Sequence, residues 1–74
     1  MDVLLYSRRG CGLCEEAEDL LAIHYPQVRV VDVDGDDELT RRFGLRVPVL
    51  VIAGEVVLEG RFDEAAVARL RARA

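Results

Sequence analysis

Cys11 and Cys14 stand three residues apart, separated by Gly12-Leu13 and preceded by Ser7-Arg8-Arg9-Gly10; they are the chain's only cysteines. Two thiols spaced i, i+3 at the start of a helix share one face and can form a disulfide with little backbone movement. The first turn of a helix has unpaired N–H groups and a partial positive charge, and both favour a thiolate over a thiol. A free thiol titrates at about 8.5, and such settings typically bring it to roughly 3.5–7.5. The thiolate is the attacking species, so Cys11, at the very start of the helix, is read as the nucleophile. Cys14, one turn in and expected to be buried, is read as the resolving thiol. Arg8 and Arg9 favour the thiolate electrostatically, whereas Glu15 and Glu16 oppose it through a screening solvent. The chemistry these residues suit is that of a redox dithiol.

The competing reading of the pair is half a zinc site. Zinc takes four ligands, and beyond the two thiols the chain offers one histidine, His24, so two chains would have to share the ion. No metal is therefore expected. His24 reads as a helix-end residue facing the C-terminal dipole. The acidic run Asp32–Glu38 lacks the ligand spacing of a calcium loop and reads as turn and cap chemistry.

The elements that position the dithiol follow from periodicity. Val3-Leu4-Leu5-Tyr6 reads as a short buried strand, and a helix follows from about Gly12 to His24, with Leu13, Ala17, Leu20, Leu21 and Ile23 on one broad face. Tyr25-Pro26 ends it. The β-branched run Val28–Asp34 reads as a strand, and Gly35 turns the chain. Asp36 or Asp37 then caps a short helix over about 37–43, with Gly44 as its C′ residue. A strand over Val49–Ala53, a tight Gly54-Glu55 hairpin and a strand over Val56–Glu59 come next. Asp63 is the expected N-cap of a last helix that turns Val67 and Leu70 inward. The order β-α-β-α-β-β-α predicts an α/β fold: a four-stranded mixed sheet with helices on both faces.

Composition bounds the function. The chain has 74 residues, read as one domain, and 51% of them are hydrophobic, which argues against disorder. A net charge of −4 argues against a general nucleic-acid binder. All 10 basic residues are arginine. No apolar run is long enough to cross a membrane and no signal-peptide pattern opens the chain, so a cytoplasmic location without membrane association is expected. In that compartment a cysteine pair is more often catalytic or metal-binding than a structural staple.

With the dithiol and the element order together, the chain resembles the thioredoxin-like fold and, within it, the small bacterial glutaredoxin-like proteins. The resemblance covers nearly the whole chain. It rests on the strand-loop-Cys11-Gly12-Leu13-Cys14-helix arrangement, the Phe43-Gly44-Leu45-Arg46-Val47-Pro48 segment, and the Gly60…Asp63 turn into the last helix. It implies a thiol–disulfide oxidoreductase with Cys11 and Cys14 as the catalytic pair. It also implies a cis Pro48 beside the sulfurs and a Val47 backbone that pairs with an incoming peptide or glutathione. Arg8 matches a position where glutaredoxins commonly carry a lysine that helps the thiolate and contacts glutathione. Gly60 and Asp63 match the region that receives the γ-glutamyl end of glutathione. The implied partners are glutathione, as co-substrate, and disulfide-containing proteins, with no bound cofactor and a monomeric chain. The sequence departs from the family in having no proline between the cysteines, Gly60-Arg61 in place of a Gly-Gly pair, and no tryptophan before the dithiol. Two alternatives remain beside glutathione-dependent reduction. One is a thioredoxin-like reductant served by a flavin reductase; the other is a non-catalytic module binding peptides near Val47 and Pro48.

Overall fold

The computed structural model describes residues 2–73. Its elements are β1 (Val3–Ser7), α1 (Gly12–His24), β2 (Arg29–Asp32), α2 (Asp37–Phe43), β3 (Val49–Ile52), β4 (Glu55–Glu59) and α3 (Glu64–Ala72), with a 3-10 turn at Val33–Gly35. The strands form one mixed sheet in the order β2-β1-β3-β4. β1 is parallel to β2 and antiparallel to β3, which is antiparallel to β4. Parallel neighbours need a crossover, and α1 supplies it.

Strand alternation sends side chains to two different helical layers. Val3, Leu5 and Leu50 join Ala17 and Leu21 of α1 and Val67 of α3 in one buried cluster, which Tyr25 and Phe62 complete. Val49 and Val51 face the other way and pack with Val33 and Phe43, flanked by Leu4, Tyr6, Leu39 and Val47. The register pairs Leu5 with Leu50 and Tyr6 with Val49, so each layer is apolar across adjacent strands. Helices therefore cover both faces of the sheet, as the element order predicts.

Four local details differ from the sequence reading. The strand expected over 28–34 is shorter, because the Asp32 carboxylate accepts the Asp34 N–H at 2.9 Å and turns the chain into the 3-10 segment. Asp36 is the N-cap of α2, accepting the Glu38 and Leu39 N–H groups at 2.8 and 3.1 Å. Gly44, however, is right-handed (φ −54°, ψ −35°) rather than a left-handed C′ residue. Its lack of a side chain matters for space: a Cβ there would strike the Thr40 carbonyl oxygen and crowd the Arg8 guanidinium. The β3–β4 turn is Ala53-Gly54, one residue earlier than expected, with both φ angles positive (52° and 84°), as a two-residue hairpin of this hand requires. Ile23 is 71% exposed, whereas Cys14, Ala17 and Leu21 are buried. At 100° per residue Ile23 lies about 200° round from Leu21 and cannot share its face.

Two stability predictions follow from these positions. Leu21→Ala should cost about 2–5 kcal/mol in denaturant unfolding, and Ile23→Ala no more than about 0.5 kcal/mol. Ala53→Asn, which places a residue tolerant of positive φ at the turn, should gain about 1 kcal/mol and raise Tm by roughly 4–8 °C. An unchanged or lower Tm for Ala53→Asn would contradict the turn geometry.

Candidate active site

The place where β1 stops determines what surrounds the sulfurs. Ser7, its last residue, lies opposite Asp32, and Tyr6 lies opposite Val49, so the Val47-Pro48 segment meets the chain where it leaves the sheet. Glu59 also pairs with Val49, and the Gly60 N–H donates to the Pro48 carbonyl at 2.9 Å. The sheet thus sets the end of β1, which leads into Arg8 and the dithiol, beside the start of β3 after Pro48, with Gly60 bonded to Pro48; Asp63 follows at the start of α3, next to the Glu64 that reaches His24. Gly10, with φ +73°, makes the left-handed step that admits the start of α1.

Cys11 is the N-cap of α1, with extended backbone angles (φ −104°, ψ 110°), and its Sγ accepts the Cys14 N–H at 3.2 Å. A sulfur thus fills the place usually held by a hydroxyl or carboxylate oxygen, facing the donors at the positive end of the helix. Cys11 is partly exposed, Cys14 is fully buried, and neither is in a disulfide. Burial pushes the Cys14 thiol above its ordinary range, and the Cys11 sulfur adds to this, while the Arg8 backbone N–H and the Ser7 hydroxyl pull the other way. Position alone separates an accessible sulfur from a sequestered one.

Arg8 forms a fork. Nε and Nη2 donate to the Asp34 carboxylate at 3.0–3.2 Å, and Nη1 donates to the Gly44 carbonyl at 3.0 Å. The guanidinium, held firmly charged by Asp34, still interacts electrostatically with both sulfurs. It ties the loop before the dithiol to the 3-10 turn and to the end of α2.

The Val47–Pro48 peptide bond is cis. The Val47 N–H donates to the Phe43 carbonyl at 3.0 Å, so pairing it with an incoming chain requires an exchange of partners. Asp63 caps α3, accepting the Ala66 N–H at 2.7 Å. Arg46 forks onto Glu59 at 2.8 and 3.0 Å, lowering the carboxyl's pKa. Arg42 and Arg46 also lie over the ring of Phe43, which stacks on Tyr6 at 4.6 Å. His24 meets Glu64 at 3.1 Å, joining α1 to α3.

Three residues of this end were not singled out by sequence reasoning: Asp34, Ser7 and Glu18. Ser7 continues the inward alternation of Val3 and Leu5, and Glu18 lies at i+4 from Cys14 on the same helical face. Those spacings were a usable signal. The Asp34 contact with Arg8 spans 26 positions and had none. Among the described residues, no group of three or more His, Cys, Asp or Glu side chains is arranged to hold a metal ion.

A model of the glutaredoxin-like domain matches residues 2–71. The chain belongs to the glutaredoxin-like family. Solved structures agree with that placement. A structural-genomics target protein from X. campestris is 34% identical, with a TM-score of 0.86 over 97% of both chains. The germline-specific thioredoxin Deadhead from Drosophila melanogaster is 30% identical at a TM-score of 0.58, over 96% of this chain and 77% of the other. A malarial protein at 18% identity and a TM-score of 0.54, over 96% of this chain and 92% of its own, shares the fold. No curated protein matches the chain significantly. This glutaredoxin-like chain is therefore built on the thioredoxin fold.

The unequal burial of the two thiols has a direct chemical consequence. Brief iodoacetamide treatment of the reduced protein near neutral pH should label Cys11 and spare Cys14, read by peptide mass spectrometry. In Cys11→Ser, Cys14 labelling should rise only at a pH above that of an ordinary exposed thiol. Equal labelling of both sulfurs near neutral pH would count against the asymmetry.

Proposed function

We propose that this domain is a thiol–disulfide oxidoreductase that reduces protein or glutathione mixed disulfides, with glutathione as electron donor. The observation carrying this reading is the pairing of a partly exposed Cys11 sulfur at a helix N-cap with a buried Cys14 directly behind it. The Cys11 thiolate attacks one sulfur of a substrate disulfide; a Cys11–substrate bond forms and the other substrate sulfur leaves as a thiolate. Cys14 then attacks the Cys11 sulfur, forming Cys11–Cys14 and releasing the reduced substrate. Two glutathione molecules return the dithiol by the reverse exchanges and leave as their disulfide.

Each remaining site residue has a place in this scheme. Arg8 supplies positive charge held in position by Asp34 and Gly44. Val47, Pro48 and Gly60 form the backbone wall along which a substrate chain lies, and Leu45, fully exposed on the same segment, adds apolar contact. Asp63 and the exposed Arg61 at the start of α3 face the γ-glutamyl end of glutathione. The reaction suits a reducing compartment such as the cytoplasm. No helix among the described residues is long and apolar enough to cross a membrane. The chain acts as a monomer without a bound cofactor. The likeness to a thioredoxin favours one second reading, in which a flavin reductase supplies the electrons.

The test is reduction of a small glutathione mixed disulfide, coupled to glutathione and glutathione reductase. Native protein should turn over, Cys11→Ser should fall to background, and Cys14→Ser should keep part of the rate. No turnover by the native protein sinks the glutathione reading, and activity with a thioredoxin reductase would replace it.

A further inference from the structure

The short segment that leads into Pro48 is bonded on both sides, yet one of its own groups is left open. The Phe43 carbonyl accepts the Arg46 and Val47 N–H groups at 2.8 and 3.0 Å. The Gly60 N–H holds the Pro48 carbonyl at 2.9 Å. The carbonyl of half-buried Val47, between them, accepts no hydrogen bond among the described residues. A backbone acceptor in that setting calls for a donor, from water or from a bound chain. In the reading above, the donor is an N–H of the substrate.

The side chain of the preceding residue fixes where this carbonyl stands. Arg46 Nε and Nη2 donate to Glu59 Oε2 and Oε1 at 2.8 and 3.0 Å. Nη1 reaches the Arg42 carbonyl at 3.4 Å, and the guanidinium lies 5.4 Å from the centre of the Phe43 ring. Glu59 pairs with Val49 in the sheet and directly precedes Gly60. One planar group thus ties the end of α2 to the end of β4 across the Val47-Pro48 segment. The two side chains are 42% and 45% exposed, a setting in which an ion pair adds little to stability. A bidentate fork fixes direction as well as distance, and a backbone acceptor needs both.

We propose that Arg46 and Glu59 are positioning residues for substrate recognition: their fork holds the Val47 carbonyl where an N–H of a peptide disulfide can reach it. Neither side chain needs to touch the substrate or the sulfurs. The pair therefore selects for disulfides that carry a peptide backbone, such as glutathione disulfide, over disulfides without one. Arg46 holds the Glu59 carboxyl below the usual carboxylate range, so the fork stays charged throughout neutral solution. This inference rests on the Cys11–Cys14 cycle and the substrate wall proposed above.

Two disulfides separate positioning from other effects. Glutathione disulfide has amide N–H groups, whereas bis(2-hydroxyethyl) disulfide is neutral and has none. Either one oxidises the reduced dithiol, closing the Cys11–Cys14 bond and leaving as two thiols. The rate is read by acid quenching, alkylation of the remaining thiols and mass spectrometry. Arg46→Gln and Glu59→Gln should each slow oxidation by glutathione disulfide about tenfold and leave oxidation by bis(2-hydroxyethyl) disulfide near native. The two variants change the net charge in opposite senses, so a purely electrostatic effect on the anionic glutathione disulfide moves their rates in opposite directions. Glu55→Gln, at the other end of β4 with the same charge change as Glu59→Gln, should match the native protein with both reagents. A native rate with glutathione disulfide in either variant overturns the inference and leaves the cycle intact. So does equal slowing with both reagents, which marks a disturbed dithiol or fold, and so do opposite changes in the two variants. A native protein oxidised by neither disulfide overturns the cycle and the inference with it.

Discussion

The hydrogen bond from the Cys14 N–H to the Cys11 sulfur governs the rest of the site. It makes a nucleophile into a helix cap, so the group that must react also satisfies a donor that α1 leaves unpaired. It holds the two sulfurs in a fixed relation, one at the rim and one behind. This arrangement holds only if α1 begins at Gly12, and that depends on Ser7 ending β1 and on the left-handed step at Gly10. Everything else near the sulfurs supports that short stretch of backbone.

Arg8 is the clearest support. Its exposed contact with Asp34 is of a kind that contributes little to stability by itself. Its value is geometric, because one planar fork spans the β1–α1 loop, the 3-10 turn and the end of α2. Gly44 permits this by offering a carbonyl with no Cβ to crowd the guanidinium. The Phe43 ring, stacked on Tyr6 and overlain by Arg42 and Arg46, anchors the same short helix to the sheet. A seven-residue helix has little surface with which to hold itself in place, and these contacts do it instead.

Polar groups at this end are partnered even where they are buried. Among the described residues, no buried side-chain nitrogen or oxygen lacks a hydrogen-bond partner. Ser7 is the instructive case, since a hydroxyl at a position that alternation assigns to the core would be costly without Glu18 to receive its proton. The pairing reconciles a polar atom with the interior.

Much of the molecule was legible in the chain itself. The dithiol spacing, the element order, the mixed sheet and the caps at Asp36 and Asp63 are local patterns, expressed within a few residues of one another. Periodicity places Leu21 inside, but a face broad enough to include Ile23, about 200° away, is wider than the one α1 buries. The β-branched run before Gly35 looked like uninterrupted strand because propensity does not register one carboxylate, that of Asp32, reaching a backbone N–H two residues on. What only the tertiary structure decided are the meetings of distant residues: Arg8 with Asp34 and Gly44, Ser7 with Glu18, Gly60 with Pro48, Arg46 with Glu59. Sequence spacing carries no record of such contacts, because they exist only after the strands have paired and the helices have settled on the sheet. Local chemistry determined which residues could react; packing decided which of them meet.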